Sequence, residues 1–222
     1  VDLAKIEFAP RRWHPGEPLN VLQVAHVREK KGIPDSVRAF AALHNDYPEA
    51  RFTLIGDIHS ASAKPIMRDV QAIIDREGLG DAVRLLDKVL YETYVQTLRD
   101  AHIFIHPSVE AENGDSEGGA PVSIIEASAS GMMVVSTRHC DIPEVIQDGI
   151  SGLLAPEHRP DALAEHLRTL ARNPDEWESM AQKGREHIER HYDLNRQIEA
   201  LENIYERTLE PDEMGFRSIK NH

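Results

Sequence analysis

Short apolar runs alternate along this chain with stretches in which apolar residues return every three or four positions. Six runs read as strands: Leu19 to Ala25, Arg51 to Gly56, Val83 to Leu86, Ile103 to Ile105, Met132 to Ser136 and Gly152 to Leu154. After the first, Val37, Phe40, Ala41 and His44 fall at i, i+3, i+4 and i+7, one face of a helix. Further helices are predicted over 64–77 (stopped by Gly78 and Gly80), over 91–100 and over 121–130. The strands are rich in Val, Ile and Leu and show little polar alternation, which suits burial on both faces. The regular β–α–β alternation predicts an α/β fold: a doubly wound parallel sheet of about six strands with helices on both faces. In such sheets ligands bind outside the carboxyl ends of the strands, so the loops after strands one to four are the places to look.

The two ends read differently. In residues 1–18, Pro10, Pro15, Gly16 and Pro18 break any period, as in a linker. The C-terminal third is helical. Its stripes are Leu163, Leu167 and Leu170; then Trp177, Met180, Ala181, Gly184 and Ile188; then Ile198, Leu201, Ile204, Tyr205 and Leu209. Asp161 and Asp175 sit where N-caps or first-turn acids belong. After Pro211 the chain turns polar and is expected to fray. The organisation is thus a linker over 1–18, an α/β domain over 19–192, and a C-terminal helix and tail over 193–222.

Charge narrows the function. The 222 residues hold 25 Lys and Arg against 38 Asp and Glu, a net charge of −13. A nucleic-acid binder or a polybasic membrane clamp needs the opposite sign. No apolar run approaches the ~20 residues that span a bilayer. The single cysteine, Cys140, excludes an internal disulfide and points to a reducing compartment. The chain opens on Val1, with no leader pattern in view, so its start is expected to be a cut.

Three groups of residues could carry chemistry. The stretch from Val109 to Glu126 holds Glu110, Glu112, Asp115, Glu117 and Glu126. Within it, Gly118-Gly119 followed by Pro121 resembles a turn feeding a helix with Pro at its first position. Such a turn offers backbone N–H groups and a positive dipole end to an anion such as phosphate. A solvated acidic loop is the alternative. After strand one, Arg28, Lys30 and Lys31 could neutralise a diphosphate, or simply be solvated at a helix start. No Gly-x-Gly-x-x-Gly and no Walker loop follows that strand. The twelve histidines include His102 and His106 around strand four, His139 beside Cys140, and His187 and His191 at i, i+4. Neither a metal site nor a Cys140 nucleophile paired with His139 is the favoured reading, since sequence neighbours point apart and catalytic pairs are usually distant.

The order of these pieces resembles the C-terminal, donor-binding half of GT-B fold glycosyltransferases, most like glycosyltransferase family 4. The resemblance covers roughly residues 1–209 and is carried by segments 19–32, 50–57, 83–108 and above all 117–154. The last matches the family's pattern of Glu117-Gly118, Ile124-Ile125, Glu126, a small-residue helix ending at Gly131, and Val134-Val135. It implies a Rossmann-like domain of an enzyme that moves a sugar from a nucleotide-sugar to an acceptor, with retention and generally without a metal. It implies that Glu117 touches the donor sugar and that Gly118, Gly119 and Ala120 hold sugar hydroxyls or phosphate through backbone N–H groups. Glu126 then takes the ribose, Lys31 the diphosphate, and Lys88 and Val89 frame the base. No cofactor is implied beyond the donor, UDP- or GDP-linked. The acceptor, whether glycan, lipid or small molecule, would be held by an N-terminal domain missing from this chain. The helix from about Asp193 to Leu209 would bridge back to that domain.

The chain departs from the family in places. Seven residues usually separate the two glutamates, and here eight do, 118–125, so one is inserted. Ala25-His26 stands where Gly-Arg is usual; His26 could donate to phosphate when protonated. Cys140 and Asp141 replace glycines ahead of Pro143-Glu144. Two other readings stay open: a sugar-nucleotide epimerase or phosphorylase of similar architecture, and a non-catalytic nucleotide-sugar-binding module. A cytoplasmic location is expected, with any contact at the inner membrane face made by the other domain.

Overall fold

The computed structural model describes residues 1–209. Six strands form one parallel sheet: β1 (Asn20–Val24), β2 (Arg51–Ile55), β3 (Val83–Leu86), β4 (Ile103–His106), β5 (Met133–Thr137) and β6 (Leu153–Ala155). Their order is β3-β2-β1-β4-β5-β6. The chain starts in the middle, winds outward to β3, then returns to the other side of β1 at β4. The β1/β4 junction is therefore the switch point, where the loops leave in opposite directions and open a crevice.

Among the described residues, eight α-helices connect and cover the strands: α1 (Ile33–Asp46), α2 (Lys64–Glu77), α3 (Tyr91–Asp100), α4 (Val122–Ser130), α5 (Ile142–Val145), α6 (Pro160–Arg172), α7 (Trp177–His191) and α8 (Leu194–Leu209). Two apolar clusters flank the sheet. On one face Val37 and Phe40 of α1, Val70 and Ile73 of α2, and Leu163 and Leu167 of α6 pack on Val21, Leu54, Ile105 and Val135. On the other, Ile124 of α4, Ile142 of α5 and Ile188 of α7 pack on Leu22, Phe104, Val134 and Leu154. Alternate strand residues thus serve opposite cores, which explains the unbroken apolar runs.

Three predicted spans, 64–77, 83–86 and 91–100, coincide with α2, β3 and α3. Gly78 stops α2 in the left-handed region, φ +67. The third C-terminal stripe falls on α8, where Ile198, Leu201, Ile204 and Tyr205 are exposed. One local expectation fails. Pro121 precedes α4 as its N-cap, with φ −57 and ψ 131, and is not its first helical residue. The tail expected after Pro211 lies outside the described residues.

Residues 1–18 have no long element, as their prolines predict, yet they pack closely. Ala9 donates its N–H to Ser130 O and Arg11 to Gly131 O. The Arg11 guanidinium also donates to Ala101 O and Leu98 O. Trp13 is only 2% exposed and stacks on Trp177 with 6.2 Å between ring centres.

Candidate functional site

The crevice forms where the sheet's topology demands it, from loops at the carboxyl ends of β1 to β4 and the start of α4. Its volume is about 340 Å³, and its walls include His26, Lys31, Lys88, His106 and residues 121–123.

The loop after β1 turns through a short 3-10 segment, Glu29–Lys31, into Gly32 at φ +57. A Cβ on Gly32 would lie 1.9 Å from Pro107 O, so glycine is what lets this turn press on the end of β4. The fully buried Gln23 of β1 donates from Nε2 to Lys31 O at 2.9 Å, fixing the lysine's backbone. Lys31 then crosses to the loop after β4. Its Nζ lies 2.5 Å from Glu117 Oε1, with the two side chains 14% and 9% exposed. Ser108 Oγ donates to the same carboxylate oxygen at 3.0 Å, and His106 Nε2 stands 4.0 Å away. Burial, and then the nearby Lys31 ammonium, pull His106 down to about 3, so this imidazole is neutral at ordinary pH.

The long loop that carries Glu117 is strapped to the β1 loop at several points. Lys30 Nζ donates to Asp115 Oδ1 and Ser116 O, both at 2.9 Å. The Val109 N–H reaches Lys30 O at 2.9 Å, and the Glu112 N–H reaches Glu29 Oε1 at 2.8 Å. Two of the acids that crowd this loop, Asp115 and Glu117, therefore have lysine partners.

Parallel register explains a further pairing. Val24 is opposite Ile55 in the β1–β2 ladder. Two residues beyond each come His26 and Asp57, whose Nδ1 and Oδ2 are 3.6 Å apart. The Val27 N–H, donating to Asp57 at 2.6 Å, and His26 hold that carboxyl below its ordinary value. His26 itself stays exposed at the cleft mouth.

The other expected site residues are distributed around this centre. Gly118 is exposed with open space about it, and Gly119 lies 3.6 Å from Asp141 Oδ2, measured from an added Cβ. Among the described residues none accepts a hydrogen bond from the N–H of Gly118, Gly119 or Ala120. Val89 and Ala120 rest on the second apolar cluster. Glu126 is set apart from Lys31 and Glu117. It lies a turn into α4, against a second cleft of about 530 Å³ whose walls include Ile6, Tyr94, Leu98 and Val122. Val122 belongs to both clefts. The Tyr94 hydroxyl donates to Glu126 Oε2 at 3.5 Å. Burial raises the Glu126 carboxyl; burial and Glu126 together raise Tyr94 to about 12.

Sequence reasoning missed Gln23 and Ser108, which hold the Lys31 backbone and the Glu117 carboxylate, and the contact of His139 with Glu157, and saw His139 only as a neighbour of Cys140. The signal for Ser108 and Gln23 was their position at the ends of central strands. His139 and Glu157 had a signal of the same kind as His26 and Asp57, since each follows its strand by two residues.

Comparison with known proteins agrees with the fold. A family model described as glycosyl transferases group 1 matches residues 5–187. The amylovoran biosynthesis glycosyltransferase AmsK of Erwinia amylovora is 33% identical over 193 residues, 86% of this chain and 45% of that protein. A glycosyltransferase of Rickettsia africae superposes with a TM-score of 0.76 at 19% identity, covering 89% of this chain and 49% of that one. Anabaena HepE, solved in complex with UDP-glucose, gives 0.73 at 19% identity over 86% of this chain and 49% of its own. These structural likenesses speak for the fold. The chain spans about half the length of the curated relatives it matches. With a family match over most of its length and a relative one-third identical across it, the chain belongs to the glycosyl transferases group 1 family.

Proposed function

We propose that this chain is the donor-binding half of a retaining glycosyltransferase that takes a sugar from a nucleotide-sugar and passes it to an acceptor held by a second half. The observation that carries this reading is the meeting of Lys31 and Glu117, 86 residues apart in sequence, at the switch point of the sheet. A cation and a carboxylate side by side, next to a helix N-terminus, suit a diphosphate joined to a sugar.

The chemistry follows from charge. Breaking the anomeric C–O bond leaves a nucleoside diphosphate with growing negative charge. Lys31 and the amides of Gly118 to Ala120 ahead of α4 stabilise that leaving group without a metal ion. Removing one such donor costs on the order of 100- to 1,000-fold in rate. Glu117, oriented by Ser108, faces the sugar and favours positive charge developing at the anomeric carbon. Glu126 receives the ribose hydroxyls, while Lys88 and Val89 border the base. His26 stands where it can add a donor to the phosphates. UDP or GDP is the expected carrier; HepE, of the same fold, was solved with UDP-glucose. A single thiol suits the cytoplasm, where the donor half would work, and among the described residues no helix is long and apolar enough to cross a membrane. The exposed apolar face of α8 suits contact with the second half.

Titration calorimetry of this chain with UDP, GDP, ADP and TDP tests the proposal. Selective binding of one nucleotide, weakened by Lys31→Ala and by Glu126→Ala, is expected. Equal binding of all four, indifferent to both substitutions, would reduce the site to a generic phosphate pocket. The chain alone is expected to transfer no sugar.

A further inference from the structure

Thr137 and Ala155 form the last rung of the β5–β6 ladder. His139 and Glu157 each stand two residues beyond it, and the parallel register brings their side chains together. Glu157 Oε1 is 2.8 Å from His139 Nδ1. The other carboxylate oxygen, Oε2, accepts the Glu110 N–H at 2.8 Å. On the far side of the imidazole, Nε2 accepts the Glu117 N–H at 3.2 Å.

A carboxylate has no proton to give, so the proton between Glu157 and His139 sits on Nδ1. That leaves on Nε2 the lone pair which the Glu117 amide requires. We propose that His139 and Glu157 are positioning residues for Glu117, holding its backbone so that its carboxylate meets Lys31 and the donor sugar. The inference rests on the reading of Glu117 as the carboxylate at the sugar.

Several observations support it. Glu157 grips the Glu117 loop twice, directly at Glu110 and through His139 at Glu117. The His139 side chain is only 4% exposed, so water does not compete for these bonds. Burial works to raise the Glu157 carboxyl, but the Glu110 N–H and His139 outweigh it and hold the group below its ordinary value. Glu157 is thus ionised and able to fix the tautomer. Contrary to the expectation that His139 and Cys140 point apart, the Cys140 thiol, from a backbone held at φ +43, lies 3.3 Å from His139 Nε2 and 3.0 Å from Glu117 O; with Nε2 taken by the Glu117 N–H, the thiol donates to the carbonyl and steadies the other side of the same residue.

Substitution at Glu157 separates charge from shape. Glutamine has the same outline but one oxygen for two N–H donors, so Glu157→Gln must fail either Glu110 or His139. His139→Leu removes the acceptor for the Glu117 amide, whereas His139→Gln carries an amide oxygen that can replace it.

The test measures kcat, donor KM and Tm in the active protein for these three variants and for Glu117→Ala. Glu157→Gln and His139→Leu are expected to lower kcat on the order of 100-fold, the cost of misplacing a reacting group by about 1 Å. KM should barely move, Tm should fall by only the few degrees that a lost buried hydrogen bond costs, and His139→Gln should recover most of the rate and of the Tm. If Glu117→Ala destroys turnover while His139→Leu and Glu157→Gln keep the parent rate, the positioning role is overturned and the reading of Glu117 stands. If Glu117→Ala itself turns over normally, that reading falls and takes this inference with it. A joint fall of kcat and Tm in all three variants would make the pair a fold element and overturn the inference. Amide hydrogen exchange at Glu117, followed by NMR on this chain, gives a readout without turnover. Exchange should quicken in His139→Leu and Glu157→Gln, and unchanged exchange overturns the proposal.

Discussion

Lys31 Nζ and Glu117 Oε1 are 2.5 Å apart, and both side chains are almost withdrawn from water. Two charges tolerate that only as a pair. Lys31→Met therefore strands a buried carboxylate and should cost about 3–5 kcal/mol of stability by urea unfolding. Adding Glu117→Gln should restore most of the loss. Additive losses in the double variant would mean that the two groups are not coupled.

Glu126 offers a pH-dependent test. Its carboxyl is raised, so its charged form costs stability in the fold. That cost is absent below the ordinary value of 4.5 and grows as pH rises through the native value. Glu126→Gln should be more stable than the parent at neutral pH, with the gap closing below pH 4.5. The same substitution should weaken nucleotide binding. Tyr94→Phe removes the hydrogen bond that opposes the shift, so the Glu126 carboxyl should titrate higher still by carbon NMR. A lower titration point would contradict the contact.

Gly32 and Gly78 form a matched pair. Both have positive φ, +57 and +67, but only Gly32 faces backbone, at Pro107 O. Gly78→Ala meets open space and should cost about 1–2 kcal/mol for its left-handed residue. Gly32→Ala adds a clash between the β1 turn and the end of β4, so it should cost clearly more and weaken nucleotide binding as well. Equal losses would show that the turn can shift away from β4 freely.

Much of this was legible in the sequence because it is local. The spans of α2, β3 and α3 follow from period, glycine stops and apolar runs. Lys31 and Glu117 could be named from a motif, but their contact depends on strand order, which brings β4 beside β1. Residues 1–18 show the opposite case. Trp13 sits alone among prolines with no period to betray it, and its burial depends on Trp177, supplied by a distant helix. Pro121 misled for a local reason, since its ψ of 131 is extended and the helix begins one residue later. His139 was overshadowed by its chain neighbour, while its working partner, Glu157, came from the next strand.

The extra residue between Glu117 and Glu126 looks different once the attachments of each are known. Glu117 is moored by Lys31, Ser108 and His139; Glu126 rides on α4 and leans on Tyr94. The span between them runs through Gly118, which has nothing pressing on it. It is a line between two separately anchored posts, touched down once where Ala120 rests on the second apolar cluster. Each end is fixed by its own contacts, so an added residue falls on the Gly118 to Ala120 amides between them and not on the two carboxylates.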